Sequence, residues 1–377
     1  MAGVMEGVWR EHARRLADEL ASAGALTDPV WREAFVNVPR HVFLPSFYLR
    51  TGDPADDPRT GRRCSPESAG YLTAVYSDET LVTQYIEWGG WPWATSSSTR
   101  PSLMVRMLDA LGVADGAAVL EIGTGTGYNA ALLSERLGDR HVTSVDIDPG
   151  LVEVAEARLA SLGLRPALAV HDGREGWPGR APYDRLIATV AFDHVPMAWL
   201  EQVRPGGVIV ADLRPAGAAW AGGLATLTVG ADGTASGRMS ASGSGFMSAR
   251  ETAGVPGFPR VAAMDRSDAR RRRSRVGGKA LLDPGFALVV WRHLPDMVVY
   301  PGGDKVTLVA GPSWAENVTT GPAEVVFGGP RDVWAVVEDA YVWWEEQGRP
   351  GVGDFGLTVA PDRQWMWLRT PDGPVVE

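Results

Sequence analysis

The stretch VLEIGTGTGYN, residues 119–129, decides the fold. A short, mostly apolar run ends at Gly123, two more glycines follow at 125 and 127, and YNAALLSERLG then reads as a helix. Glycines at such a junction let the chain turn tightly and bring its backbone close to a ligand. A dinucleotide fingerprint, G-x-G-x-x-G, would need glycine at 128, where Tyr128 stands. The spacing here is G-x-G-x-G with Glu121 just ahead. That is the pattern of S-adenosylmethionine sites. The ligand is a sulfonium cation with no pyrophosphate to seat on a helix N-terminus, and an acid near the loop suits its positive charges.

Outward from the loop, strand and helix alternate to residue 213. HVTSVDI, PALAV, DRLIATV and GVIVADL read as strands, with LVEVAEARLASLG and a short segment near 196–203 as helices. Near-continuous apolar strands between helices predict a parallel sheet covered on both faces. Asp146 closes the second strand about twenty residues after the loop, where a carboxylate can accept from both ribose hydroxyls. Asp172 closes the third, placed to meet the adenine amine. Glu121, Asp146 and Asp172 thus share the carboxyl ends of parallel strands, where such sheets bind ligands. Gly123, Thr124, Gly125, Gly127, Ile147, Gly173 and Val190 complete the expected cofactor contacts. The expected fold class is α/β, that of a class I, Rossmann-like S-adenosylmethionine-dependent methyltransferase, mostly parallel in its sheet, followed by a C-terminal α+β accessory domain.

Upstream, residues 7–24 and 29–36 read as helices, and another runs from Pro101 to about Leu111. EWGGWPWATSSSTRP (87–101) reads as irregular, because glycine, proline and serine interrupt it. LATLTV-GADG-TASGRM (224–239) is a hairpin by its Asp-Gly turn, and GFMSAR (245–250) is a candidate closing strand. Beyond 250, FALVVW, KVTLVA and EVVFG read as strands, 332–346 as a helix, and FGLTV-APDR-QWMWLR as a hairpin. The division is then a catalytic domain over 1–250 and an accessory domain over 251–377. ARRRRS (269–274) reads either as a solvated loop or as a clamp for an acidic peptide.

Composition narrows the function. The 377 residues carry a net charge of −10, which repels phosphate and argues against nucleic acid as a partner. One cysteine, Cys64, excludes an internal disulfide and a cysteine-based zinc site. No histidine–carboxylate spacing points to a metal. The N-terminus lacks a signal-peptide core, and no apolar stretch is long enough to span a bilayer, so the expectation is a soluble cytoplasmic protein without a membrane partner. The 15 tryptophans mark either core or ligand-contact surface.

Residues 30–250 also resemble the protein-L-isoaspartate O-methyltransferase family. VWREAFVNVPRHVFLP is similar to its N-terminal signature, EIGTGTGYNAALL to its cofactor loop, and YDRLIATVAFDHVPMAWLEQVRPGGVIV to its later segment. The family's Thr-Ile-Ser-x-Pro motif falls on SSTRP (97–101), with Ser97, Ser98 and Thr99 in place of its threonine, isoleucine and serine. That departure, the tryptophans around it and the C-terminal extension resemble a divergent actinobacterial branch acting on ribosomally made peptides of graspetide or lanthipeptide systems. The resemblance implies methylation of an aspartate in a precursor peptide already handled by an ATP-grasp ligase or lanthipeptide synthetase. The ester then closes to an aspartimide, and the cofactor leaves as S-adenosylhomocysteine. Isoaspartyl repair and methylation of a small acid or hydroxyl compound are the alternatives.

Methyl transfer to a carboxylate needs no strong base, since an aspartate is ionised at neutral pH. It needs an oxygen held in line with the methyl group and water kept out. Ser98 and Thr99 are the candidate catalytic hydroxyls, with Ser97 beside them, and the same three residues suit a cap on the helix at Pro101. Trp88, Trp91, Trp93, Arg100 and His194 are the remaining candidates for the substrate groove; for the tryptophans core packing is an equal reading, and for His194 a structural or exposed histidine is the stronger one, because this chemistry requires no base.

Overall fold

A computed structural model describes residues 2–50, 57, 59–215, 220–240, 245–255, 264–318 and 324–376. The chain forms two compact units. The first comprises Met1–Thr189, Glu201–Val210 and Arg250–Pro256, the second Val190–Leu200, Ala211–Ala249 and Gly257–Glu377.

The alternation read around the glycine loop is present in the first unit. Strand Val119–Ile122 pairs in parallel with Val142–Asp146 on one side and, through residues 185–188, with Tyr183–Phe192 on the other. Ala167–Val170 adds in parallel beyond Val142–Asp146. All four side chains of Val119–Ile122 are buried, as a central strand between helices requires. Helix Tyr128–Leu137 leaves the loop through Gly127, and helix Pro149–Ser161 starts on an Asp148 cap followed by proline, a favoured opening pair. The shared register brings Ile122, Asp146 and Val170 to one end of the sheet.

A separate antiparallel sheet in this unit has the order Arg62–Cys64, Phe47–Leu49, Leu81–Trp88, Trp91–Ser98. Its last two strands replace the irregular segment expected over 87–101. Gly89 and Gly90, with φ of +61° and +81°, make the two-residue turn, and Trp88 faces Trp91 across it. Trp91–Ser98 is an edge strand, where Pro92 costs no ladder bond on its free side. Turn-forming residues read locally as breakers are here the hairpin's tip.

In the second unit, hairpin Gly223–Val229 and Ala235–Ser240 forms as expected, but Ala235–Ser240 also pairs with Phe355–Ala360. That long-range ladder groups 211–249 with the C-terminal residues, so the compact units do not follow the single cut at 250. GFMSAR forms no strand; Ser248 makes one isolated parallel bridge to Ala191. FALVVW belongs to helix Pro284–His293, capped by Asp283 and buried from Gly285 to Trp291. An apolar run buried on every side carries no period from which helix and strand can be told apart. Arg270–Arg273 is a strand rather than a loop, because it pairs with Glu324–Gly328 at the rim of a five-stranded antiparallel sheet. Trp344 and Trp367 are buried in this unit, and Trp343 and Trp365 half-buried.

Candidate active site

The loop is built from the strand end upward. Gly123 and Thr124 donate their backbone N–H groups to the Val145 carbonyl at 2.8 and 3.2 Å, which holds the loop over the neighbouring strand. Gly123, Gly125 and Gly127 have φ of +96°, +52° and +88°. At Gly127 a Cβ would sit 3.0 Å from the Ala155 methyl and 3.4 Å from the Phe43 ring, so packing as well as backbone demands glycine. Thr189 donates its hydroxyl to the Gly123 carbonyl at 2.8 Å.

Glu121 is fully buried beneath the loop. Asn129 Nδ2 donates to one carboxylate oxygen at 2.7 Å and Ser144 Oγ to the other at 2.6 Å. Because Ser144 spends its only hydrogen on Glu121, Thr124 is the donor in the 2.7 Å Thr124–Ser144 contact. Burial pushes the Glu121 carboxyl up to about 7, partly offset by these two donors. Glu121 therefore ties strand, loop and helix together from below; its carboxylate is turned inward.

Asp146 sits at the strand end, where Oδ2 accepts from Gly125 N (2.9 Å) and Oδ1 from Asp148 N (3.0 Å). Burial raises its carboxyl, against the lowering effect of those donors and of Arg250. An ionised carboxylate offers about four lone-pair sites, so roughly two remain for a ligand's hydroxyls. Asp148 meets the buried Arg250 at 3.6 Å. Asp172 caps the short 3₁₀ turn Gly173–Glu175 and pairs with Arg174 at 3.3 Å, and Arg174 donates in turn to the Arg250 carbonyl at 3.0 Å. Ile147 and Gly173 are half-buried beside these acids. Arg250 was invisible to sequence reading: nothing in GFMSAR says that its arginine returns to the Asp146–Asp148 corner.

The hydroxyl segment lies against the loop. A Cβ on Gly125 would be 3.9 Å from both Ser96 Oγ and the Ser97 carbonyl. Strand alternation turns Ser96 and Ser98 inward and leaves Ser97 half-buried on the other face. Ser98 Oγ accepts from Arg40 Nε and Nη2 at 3.4 and 3.3 Å, so it anchors the strand and its hydroxyl is committed to the interior. Ser97 and Thr99 are half-buried.

Arg40 is the organising residue that sequence reading missed, although it sits in the quoted VPRHVFLP segment. It is fully buried and donates to the carbonyls of Val75, Ser77, Glu79 and Thr99 as well as to Ser98. Its guanidinium lies 5.8 Å from the centre of the Tyr128 ring, next to Gly127. One buried cation thus joins the hydroxyl segment to the start of the loop helix.

Trp88, Trp91 and Trp93 cluster at the hairpin tip; Trp91 is 63% exposed, and Trp93 donates to the Trp88 carbonyl at 3.1 Å. Trp91 is thus a surface residue, and Trp88 and Trp93 are half-buried. Arg100 is exposed, 3.9 Å from Glu79. Val190 and His194 belong to the second unit, His194 being exposed with Nδ1 2.6 Å from Asp193. Among the described residues no His, Cys, Asp or Glu cluster could hold a metal, and no helix is long and apolar enough to cross a membrane.

The sequence profile of the protein-L-isoaspartate(D-aspartate) O-methyltransferase family matches residues 65–219. The protein-L-isoaspartate O-methyltransferase of Ignicoccus hospitalis is 32% identical over 202 residues, which are 53% of this chain and 81% of that protein. The chain belongs to this family. The enzyme of the same name from Azorhizobium caulinodans is 46% identical over 116 residues, 30% of this chain and 52% of that one. Several relatives are matched over only about half of their length in this way. A solved protein-L-isoaspartate O-methyltransferase superposes with a TM-score of 0.57 at 21% identity, covering 96% of this chain and all of that one. The fold is therefore that of class I methyltransferases. This likeness in fold extends past residue 250.

The cofactor of this family is S-adenosylmethionine, and the residues fit it. The glycines leave backbone open beside Ser96 and Ser97, and Asp146 keeps acceptor capacity for ribose hydroxyls at the strand end.

Proposed function

We propose that this protein is an S-adenosylmethionine-dependent carboxyl O-methyltransferase acting on isoaspartyl residues of proteins or peptides. The observation that carries the reading is the apposition, within one unit, of the glycine loop and the hydroxyl segment, with Ser96 and Ser97 against Gly125. S-adenosylmethionine supplies the methyl group and departs as S-adenosylhomocysteine. The chain's part is positional. The loop and Asp146 hold the nucleoside, and Ser97 and Thr99 are the hydroxyls available to orient the acceptor carboxylate. Arg40 fixes their segment, and exposed Trp91 offers an apolar wall for the acceptor chain. No residue is required as a base, because the carboxylate attacks in its ionised form.

A second reading, methylation of an ordinary aspartate in a ribosomally made peptide with later aspartimide closure, is favoured by one observation. Thr99 stands where the family motif has serine, and its extra methyl group narrows the space beside the acceptor. Paired peptides differing only in aspartate or isoaspartate at one site, incubated with cofactor and followed by mass spectrometry, separate the two. Methyl gain on the isoaspartyl peptide alone is the expected result. Methyl gain and then methanol loss on the aspartyl peptide alone would establish the second reading instead.

A further inference from the structure

Strand Arg270–Arg273 places four consecutive arginines at the rim of the five-stranded sheet. One edge pairs with Glu324–Gly328; among the described residues no strand pairs with the other. The four side chains do different things. Arg272 bonds Asp332 at 2.8 Å and Glu338 at 2.7 Å, fastening the strand to helix Val333–Glu346 and its cap. Arg270 lies over the Phe327 ring and donates to the Gly329 carbonyl. Alternation puts Arg271 and Arg273 on the opposite face, and both are exposed. Arg271 comes within 3.8 Å of Glu324, with both side chains more than half exposed. Arg273 makes no ion pair among the described residues.

From this edge the chain runs directly into the wall of a cavity of about 320 Å³, lined by Arg275, Lys279 and Arg349 over Tyr341 and Trp344. Arg349 is balanced by Glu345. Arg275 and Lys279 are exposed and have no ion pair among the described residues. Asp283 also lines the cavity, its carboxylate engaged in capping Phe286 N at 3.0 Å. In a chain of net charge −10, the open strand edge thus leads into three cations without an ion pair among the described residues, although Glu324 lies across the ladder from Arg273 and Glu338 accepts from Arg275 N at 3.3 Å. An extended peptide can add to such an edge through main-chain hydrogen bonds, while arginines pair with its carboxylates.

We infer that the Arg270–Arg273 edge and the adjoining cavity dock an extended acidic segment of the substrate chain, with Arg273, Arg275 and Lys279 taking its carboxylates. The inference rests on the reading that the substrate is a peptide or protein, and its test is independent of methyl transfer. Fluorescein-labelled octaglutamate and octaglutamine would be titrated with the full-length protein, without cofactor, and followed by fluorescence anisotropy. The expected result is preference for octaglutamate, weakening with added salt as exposed charges are screened. The triple variant R273E/R275E/K279E should bind octaglutamate at least about tenfold more weakly. Its neutral counterpart R273Q/R275Q/K279Q should fall between the two, and R14E, on helix Ala2–Ser22, should match the parent. Equal binding of both peptides, unchanged binding by the triple variants, or an equal loss in R14E would overturn the inference. Octaglutamate binding that persists in a protein unable to methylate any peptide would support the docking site and sink only the catalytic reading.

Discussion

The glycine loop and the hydroxyl hairpin lie against each other, yet they are specified in opposite ways. In residues 119–129 most of the important geometry is local. Positive φ at three glycines and the Glu121–Asn129 bond follow from a short stretch, and only the crowding at Gly127 comes from farther off, from Ala155 and Phe43. In Leu81–Ser98 the decisive partner is Arg40, 58 residues before Ser98 in sequence. In the proposed reading, the cofactor half of the site is set largely by its own sequence and the substrate half is held by a distant cation. Loop substitutions should disturb cofactor binding, and hairpin substitutions should disturb turnover with cofactor binding intact.

The largest effect should come from the distant cation. Arg40→Ala removes a buried charge and leaves several carbonyls and Ser98 without their donor, a loss of about 3–5 kcal/mol in urea unfolding. A loss below about 1 kcal/mol would mean that the hairpin is held by something else. Next comes Gly127→Ala, which forces a side chain into the left-handed region against Ala155 and Phe43. That costs about 1–2 kcal/mol in backbone alone, and S-adenosylhomocysteine affinity by calorimetry should fall about tenfold or more. Unchanged affinity would remove the loop from the cofactor site.

Glu121 gives a prediction with a sign. Its carboxyl is raised from an ordinary 4.5 to about 7 in the fold, so between those values the native state holds a proton that the unfolded chain has lost. This group's stabilising contribution is full below about pH 4.5 and is lost as pH rises through 7, a change of up to about 3 kcal/mol. Glu121→Gln should flatten that part of the stability–pH profile of the cofactor-free protein. A parent and variant with parallel profiles over pH 4.5–7.5 would show that the buried carboxyl is not raised.

The smallest effect is expected at the hairpin tip. Trp91→Ala removes an exposed ring and should change stability by less than about 0.5 kcal/mol. It should raise KM for a peptide substrate severalfold while kcat and S-adenosylhomocysteine affinity stay level. If KM stays level as well, the tip takes no part in substrate binding.

The sequence alone was enough for the alternation of strand and helix from 119 to 213, the loop, and Asp146 at its strand end, because each rests on local backbone chemistry or a short period; that Glu121 turns inward and that Asp172 lies past its strand was not legible. It also carried the family, through motifs whose spacing survives in one continuous stretch. What it could not carry was which way Ser98 faces, where Arg250 returns, or that 87–98 completes a hairpin. It also missed that FALVVW is a helix and RRRR a strand. Those outcomes depend on partners far along the chain: Arg40 for Ser98, Asp148 for Arg250, Glu324–Gly328 for the arginines. Local pattern fixes what a segment is able to do. Burial and long-range hydrogen bonding decide which of those options is realised, because the free energy that selects among them exists only once the distant partner is in place.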